Sequence, residues 1–354
     1  MKAIVKKIGQ KGVFVKDTDF IENSGVTIRT LYTGVCGTDR EIANDALPFI
    51  RAENGNELII GHEAIGIVED PGDSDQFKKG DLVVPMVRRP GKCQLCKIGH
   101  QDYCIDGDFA EAGIRGKNGF MREKFRDDEK FLLKVKDKEI QEIGVLTEPT
   151  KNVMKIMETF KFLSSRVPWY CGDSTFSCKN LYIYGTGSEA LLISFVFSTL
   201  GFNIFLVNRH PVSDKIQSII NGIGASFLDS SSEDYENKLS RNRPDVIIDA
   251  VGSSEILRKS VEKINNNGII ILFGTSGQLM EKNEDITGYI VDKNISIAGS
   301  VDGSKENYRE AIEFISSNKN RFPFKDLITG IGSPENIDKI AKKDKDEIKY
   351  IIKW

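Results

Sequence analysis

The sequence predicts a two-domain α/β protein, in which a mainly β, barrel-like domain is joined to a doubly wound parallel sheet. Three observations predict it. The chain has 354 residues, and at roughly 150 residues per domain two units are the natural division of that length. Up to about residue 150, short β-rich runs are separated by Gly, Asp or Pro every ten residues or so, the spacing of a barrel or sandwich. From Lys179 onward, apolar strands alternate with helix-length segments, as in a parallel sheet covered on both faces.

Taken in order, residues 26–31, 64–68 and 81–85 are β-rich runs of the first domain. A helix follows, with Val153, Ile156, Met157, Phe160, Phe162 and Leu163 spaced for one buried face. Residues 181–184 form a short apolar strand that leads through a glycine turn into an apolar helix from Ala190 to about Leu200. Further strands are expected at 204–207, 246–248, 269–273 and 295–298. Past Tyr308 the chain is helical and polar, and residues 351–354 read as a last strand that rejoins the first domain. The expected division is therefore 1–178 with 306–354, and 179–305.

Composition excludes several functions. Hydrophobic residues at 40% make the chain too apolar for a disordered one. Lys plus Arg (49) nearly balances Asp plus Glu (52), so no global basic field exists to hold nucleic acid. The longest apolar run, around Leu191–Leu200, is interrupted by Ser194, Ser198 and Thr199 and falls short of the ~20 residues that cross a membrane. The N-terminal segment has charges but no apolar core of signal-peptide length, which predicts a cytoplasmic location. Six cysteines are too few for a disulfide scaffold. Cys171 and Cys178 read as buried or idle thiols.

The turn Gly185-Thr186-Gly187-Ser188-Glu189-Ala190 follows a strand and opens a helix, where a dinucleotide fingerprint belongs. Gly185 permits the tight turn, Gly187 lets backbone amides approach a pyrophosphate, and Ala190 lets helix and strand pack closely. The helix N-terminus adds N–H groups and positive potential. This makes the second domain Rossmann-type. Glu189 repels a pyrophosphate unless its carboxylate points away. The next strand ends in Asn208-Arg209-His210 rather than an acid. Asn208 can bond a ribose hydroxyl, and Arg209 offers a planar fork for a 2′-phosphate, so NADP is expected to be accepted well and NAD tolerated. Phe273 and Gly274, at the end of the 269–273 run, complete the expected cofactor contacts.

Two sets of metal ligands are predicted. Cys93-x2-Cys96-x7-Cys104 can bind one tetrahedral zinc from a single loop. Tetrahedral closure needs a fourth ligand, for which Asp102 is favoured over His100. The second set is dispersed: Cys36, then His62-Glu63, then Glu148. One thiolate, one imidazole and a carboxylate suit a zinc with a position open to substrate. Taken singly, each of these is as well explained by packing or surface exposure, and composition alone does not join them.

Resemblance joins them. Cys36-Gly37-Thr38-Asp39, Gly61-His62-Glu63, the run Phe77-Lys78-Lys79-Gly80-Asp81-Leu82-Val83, the cysteine loop and the glycine turn occur in the order found in zinc-containing medium-chain alcohol dehydrogenases. Within that superfamily, Arg88-Arg89-Pro90-Gly91-Lys92-Cys93, Gln101-Asp102-Tyr103-Cys104, Glu111-Ala112-Gly113-Ile114, Gly119-Phe120-Met121-Arg122-Glu123 and Thr147-Glu148-Pro149 resemble archaeal glucose 1-dehydrogenases. The resemblance spans essentially the whole chain. It implies a GroES-like catalytic domain, a Rossmann domain, a homotetramer, two zinc ions per chain, and oxidation of an aldose at C1 with NADP or NAD. By the same resemblance Cys36, His62 and Glu63 match catalytic zinc ligands, with Glu148 a further ligand or sugar contact. Thr38 matches a proton-relaying hydroxyl, Glu111 a carboxylate that holds sugar hydroxyls, and Cys93, Cys96 and Cys104 structural zinc ligands, with Pro90 where another cysteine is common. The chain departs from the pattern at Asn152, where Asp is expected, at Asp302, where Asn is expected, and at Val87, where Asn is usual. Glu111, Glu148, Asn152 and Asp302 are the groups available to a sugar. The alternatives are a dehydrogenase of another polyol or secondary alcohol, and a zinc-stabilised nucleotide-binding module without turnover.

Overall fold

The computed structural model describes residues 1–19, 22–274 and 286–354. It divides into two compact units, one of Met1–Lys151 with Asp302–Trp354 and one of Asn152–Val301. Both boundaries fall earlier than the 178/179 and 305/306 that the sequence suggested. The helix Thr147–Ser164 begins in the first unit and passes into the second after Lys151. Beyond that point Phe160 packs its ring against Phe197 and Phe202, Phe176 stacks on Phe202, and Trp169 packs against Phe160 and Phe176, so the segment before the first parallel strand belongs to the second unit's core. Phe162 is not on the buried face as expected: it is 70% exposed. It lies two residues beyond the inward-facing Phe160, about 200° round the helix.

The first unit is built on a seven-stranded sheet. Its order is Leu132–Val135, Leu82–Pro85, Glu63–Asp70, Val26–Val35, Lys349–Lys353, Ile328–Gly332, and Lys124–Asp127 also pairs with Val26–Val35. Val26, Ile28, Ala64, Val68, Phe77, Val83, Phe120, Phe125 and Leu132 form a buried cluster over it. The C-terminal strand does rejoin this unit, pairing antiparallel to Val26–Val35 with Tyr350 opposite Val35.

The second unit is a six-stranded parallel sheet among the described residues. Its order is Ser226–Asp229, Asn203–Asn208, Asn180–Tyr184, Val246–Asp249, Ile269–Leu272, Ser296–Gly299. Leu181, Tyr182, Ile183, Ile247, Ile248 and Ile270 are wholly buried, which explains the continuous apolar runs. Strand order reverses on either side of Asn180–Tyr184, and the crevice at such a switch point is where this fold binds ligands.

Cys171 and Cys178 are not idle thiols. They form a disulfide with Cα atoms 5.8 Å apart, closing a loop that carries the buried Phe176. Among the described residues no helix is long and apolar enough to cross a membrane.

Candidate active site

Strand pairing assembles the dispersed ligands. Val26–Val35 and Glu63–Asp70 run antiparallel with Gly34 opposite Glu63, so Cys36, just past the first strand, meets His62, just before the second. One ligand atom from each of Cys36, His62 and Glu63 lies within 4.8 Å of the others. Gly34 makes this possible, because a Cβ there would sit 1.9 Å from Oε2 of Glu63. Gly61 has φ +90 and abuts Met121, so a side chain at that turn is excluded twice.

Two groups outside the predicted set hold the ligands in place. The Lys349 Nζ donates to Oε1 and Oε2 of Glu63 at 2.6 and 2.9 Å, and both side chains are buried. It reaches the carboxylate from the C-terminal strand on the far side of Val26–Val35. Asp39 places Oδ1 3.4 Å from Nδ1 of His62 and accepts from the Cys36 amide through Oδ2 at 2.9 Å. With Nδ1 facing Asp39, Nε2 is the nitrogen left to ligate. Burial disfavours the His62 imidazolium, but the Asp39 carboxylate and the Cys36 sulfur outweigh it and hold the pKa well above its usual value. A cation is thus favoured beside these donors. Asp39 was legible within Cys36-Gly37-Thr38-Asp39; Lys349 left no sequence signal, since only the fold brings it near. Thr38 is half-buried in the first turn of Gly37–Ala43.

Glu148 is buried in the first turn of Thr147–Ser164 and lies outside that three-residue cluster. Its Oε1 is 3.1 Å from Lys151 Nζ, which also pairs with Asp302 Oδ1. The other Asp302 oxygen is 3.1 Å from Arg88 Nε. Arg88 in turn donates to Oε1 of Glu111 from Nε and Nη2, at 3.1 and 2.8 Å, and Arg115 pairs with Oε2 at 3.0 Å. Both guanidinium groups lie over the Phe109 ring, at 3.8 and 3.9 Å. Burial would raise the Asp302 pKa, yet Lys151 and Arg88 hold it below the usual carboxylate range. Asn152 is half-buried and opens the second unit.

The cysteine loop gathers Cys93, Cys96 and Cys104, whose sulfurs are within 4.8 Å of one another. Cys93 caps the short helix Gln94–Lys97 and its sulfur accepts from the Cys96 amide. Amides of Cys96 and Ile105 lower the Cys93 pKa to about 7, whereas burial and the neighbouring thiols push Cys96 up to about 12. Asp102 is not part of this cluster. Its carboxylate is 3.7 Å from His100 Nδ1. The carboxylate beside the thiols is Asp108, 3.5 Å from the Cys104 sulfur and accepting from the Lys92 amide at 3.0 Å. A Cβ on Gly91 would lie 1.6 Å from Asp108 Oδ1, so the residue after Pro90 must be glycine for Asp108 to fold there.

In the second unit Gly185 has φ +112, and its missing side chain faces Ala190, Ala250 and Val251. Around Gly187 a Cβ would meet nothing within 4 Å, so a ligand can approach the backbone at the N-cap of Ser188–Ser198. Thr186 is half-buried, Ser188 buried, and Ser188 Oγ donates to Oε2 of Glu189 at 2.8 Å. Phe273 and Gly274 both donate amides to the Asp249 carbonyl. A Cβ on Gly274 would strike the Gly252 nitrogen at 2.5 Å. Asn208 Nδ2 donates to the His210 carbonyl at 3.0 Å, and Arg209 and His210 are exposed beyond the strand. Lys259 first, then Arg209 and Arg258, lower the Glu255 pKa, so Arg209 lies within electrostatic reach of that carboxylate.

Known proteins resemble the chain throughout. Residues 22–137 match the family model described as alcohol dehydrogenase GroES-like domain, and residues 141–354 match glucose dehydrogenase C-terminus. The glucose 1-dehydrogenase of Thermoplasma acidophilum is 42% identical over 363 residues, covering 100% of this chain and 99% of that protein. That of Metallosphaera sedula is 38% identical, with 100% and 99% covered. Among solved structures, the Haloferax mediterranei glucose dehydrogenase in complex with NADP, Zn and gluconolactone superposes with a TM-score of 0.87. It is 28% identical, with 100% of this chain and 99% of that one covered. With both halves of its length and both of its compact units accounted for in this way, the chain belongs to the glucose dehydrogenase family of zinc-containing medium-chain alcohol dehydrogenases.

Proposed function

We infer that the protein is an NAD(P)-dependent zinc dehydrogenase that oxidises an aldose, D-glucose foremost, at C1 to the aldonolactone. The observation that carries this reading is the convergence of the Cys36, His62 and Glu63 donors within 4.8 Å. Thiolate, imidazole and carboxylate are ligands that zinc accepts, and they leave a coordination position for substrate. A nucleotide-binding module without turnover has no use for such a set. The names borne by the relatives, and the gluconolactone held by the Haloferax protein, point to the same oxidation.

Cys36, His62 and Glu63 are the residues to hold the catalytic zinc, with Glu148 a further ligand or sugar contact. When bound, the zinc supplies Lewis-acid stabilisation of the alkoxide developing at C1. Thr38 passes the substrate proton toward solvent. Glu111, Glu148, Asn152 and Asp302 supply polar partners for sugar hydroxyls, Asp302 through the cations that hold it. The pyrophosphate rests on Gly185, Thr186, Gly187 and Ser188, with Glu189 tied to Ser188 and Ala190 packed beneath. Phe273 and Gly274 flank the cofactor, and Asn208, Arg209 and His210 receive the adenosine ribose. Arg209 favours NADP, and the absence of an acid there leaves NAD accepted.

A second zinc fits Cys93, Cys96 and Cys104, with Asp108, rather than Asp102, the carboxylate within reach. The chain acts in the cytoplasm on small sugars, without nucleic acid or membrane, as a homotetramer. The test is NADP and NAD reduction by the purified enzyme across a panel of aldoses and polyols, alongside metal analysis. The reading predicts D-glucose among the best substrates and about two zincs per chain; reduction by secondary alcohols alone, or a metal-free active enzyme, contradicts it.

A further inference from the structure

Six buried or half-buried charges alternate in sign along one path of the first unit: Glu148, Lys151, Asp302, Arg88, Glu111, Arg115. Burying ion pairs gains little stability over apolar packing, because desolvation offsets the attraction. An array of this length therefore calls for a role in placing groups. Its three carboxylates, Glu148, Asp302 and Glu111, are ones that the functional reading assigns to the sugar, and Lys151 joins the first two.

Lys151 is 1% exposed. Its ammonium touches one oxygen of Glu148 and one of Asp302, with the Tyr308 ring 5.5 Å away. The surroundings are shaped to this side chain. Asp302 adopts φ +58, a left-handed conformation uncommon outside glycine. A Cβ on the next residue, Gly303, would lie 3.0 Å from Lys151 Cδ and 3.1 Å from its carbonyl oxygen. The Tyr308 hydroxyl is held by accepting the Val87 amide at 3.1 Å. Asp302 Oδ1 meets the Lys151 ammonium, while Oδ2 lies 3.1 Å from Arg88 Nε without a hydrogen bond, because that N–H is given to Glu111. Only one oxygen of Glu148 is engaged by Lys151, which leaves the other to a hydroxyl donor.

We propose that Lys151 is a positioning and specificity-determining residue, which locks Glu148 to Asp302 and, through Arg88, to Glu111, so that the hydroxyl pattern of an aldose meets carboxylates at fixed separations. The proposal rests on the sugar-oxidising reading above. Without the ammonium, Glu148 and Asp302 repel each other, Glu148 loses its cation and Asp302 keeps only Arg88. Ground-state sugar binding and discrimination between epimers then fall together, while the metal ligands Cys36, His62 and Glu63, held by Asp39 and Lys349, are untouched.

The experiment compares wild type, Lys151→Met and the double variant Lys151→Met with Asp302→Asn, which removes one charge of each sign and preserves folding if the single change does not. For both variants the expected result is a KM for the preferred aldose raised at least tenfold with kcat within threefold. The ratio of kcat/KM between that aldose and its C2 and C4 epimers should fall at least fivefold, with zinc content and NADP affinity as in wild type. KM and epimer ratios equal to wild type, with only the unfolding temperature lowered, would overturn the proposal and leave the functional reading intact. A wild-type enzyme that oxidises no aldose contradicts the functional reading itself, and is seen before any substitution is made.

Discussion

Thr38 stands two residues past Cys36, on the first turn of a helix whose N-cap is that cysteine. Its hydroxyl is thereby tied to the metal ligands by a few backbone bonds, the arrangement a proton relay needs. Replacing it with Ala should lower kcat/KM for every accepted sugar by about 100-fold, the range for one acid–base group, while the zinc content measured by metal analysis stays whole. Unaltered turnover would remove Thr38 from the reaction. At this scale much was legible in the sequence. The three loop cysteines and the glycine turn stand in local patterns whose spacing is itself chemical, whereas Cys36, His62 and Glu63 are dispersed and were joined only by resemblance. What was not legible were partners that act across the fold: Lys349 on Glu63, Lys151 on Asp302, and Asp108 beside Cys104. Each lies far from its partner in the chain or in a loop whose path the spacing does not fix, so no period or motif announces it.

The strand Val26–Val35 decides the geometry of the metal ligands, since it lies between the strand that begins at Glu63 and the one that begins at Lys349. Gly34 is where the Glu63 side chain needs room. Gly34→Ala should displace that carboxylate, break a buried ion pair and destabilise the protein by about 3 kcal/mol or more. Denaturant unfolding, together with loss of about one zinc per chain, checks this; wild-type stability and metal content would show that the strand tolerates a side chain there. The disulfide is an element-scale feature the sequence concealed. Its cysteines are separated by 7 positions and flanked by nothing that marks a pair, in a chain whose other cysteines read as ligands. Cys171→Ser with Cys178→Ser should lower stability by about 2–3 kcal/mol through freed loop entropy, read as a drop in Tm that a reductant reproduces in wild type. The aromatic cluster of Phe160, Trp169, Phe176, Phe197 and Phe202 lies beside this loop, so the loss should fall on the second unit.

For the whole molecule, one change of texture along the chain foretold two units: punctuated β runs first, then strands alternating with helices. Both architectures appeared, including the return of the C-terminal strand to the first sheet. The exact borders were missed because a helix carries the chain from one unit into the other without any break in its apolar pattern, and because the Lys151–Asp302 pair draws residue 302 into the first unit. Those are tertiary contacts, which periodicity does not encode. In the proposed reaction, hydride leaves C1 of an aldose for the nicotinamide. This transfer is tested most directly by supplying D-glucose deuterated at C1 with NADP and analysing the reduced cofactor by mass spectrometry and NMR. Deuterium on the nicotinamide ring, in one-to-one proportion with lactone formed, is the predicted result; reduced cofactor without deuterium, or none formed from any aldose, would contradict the account.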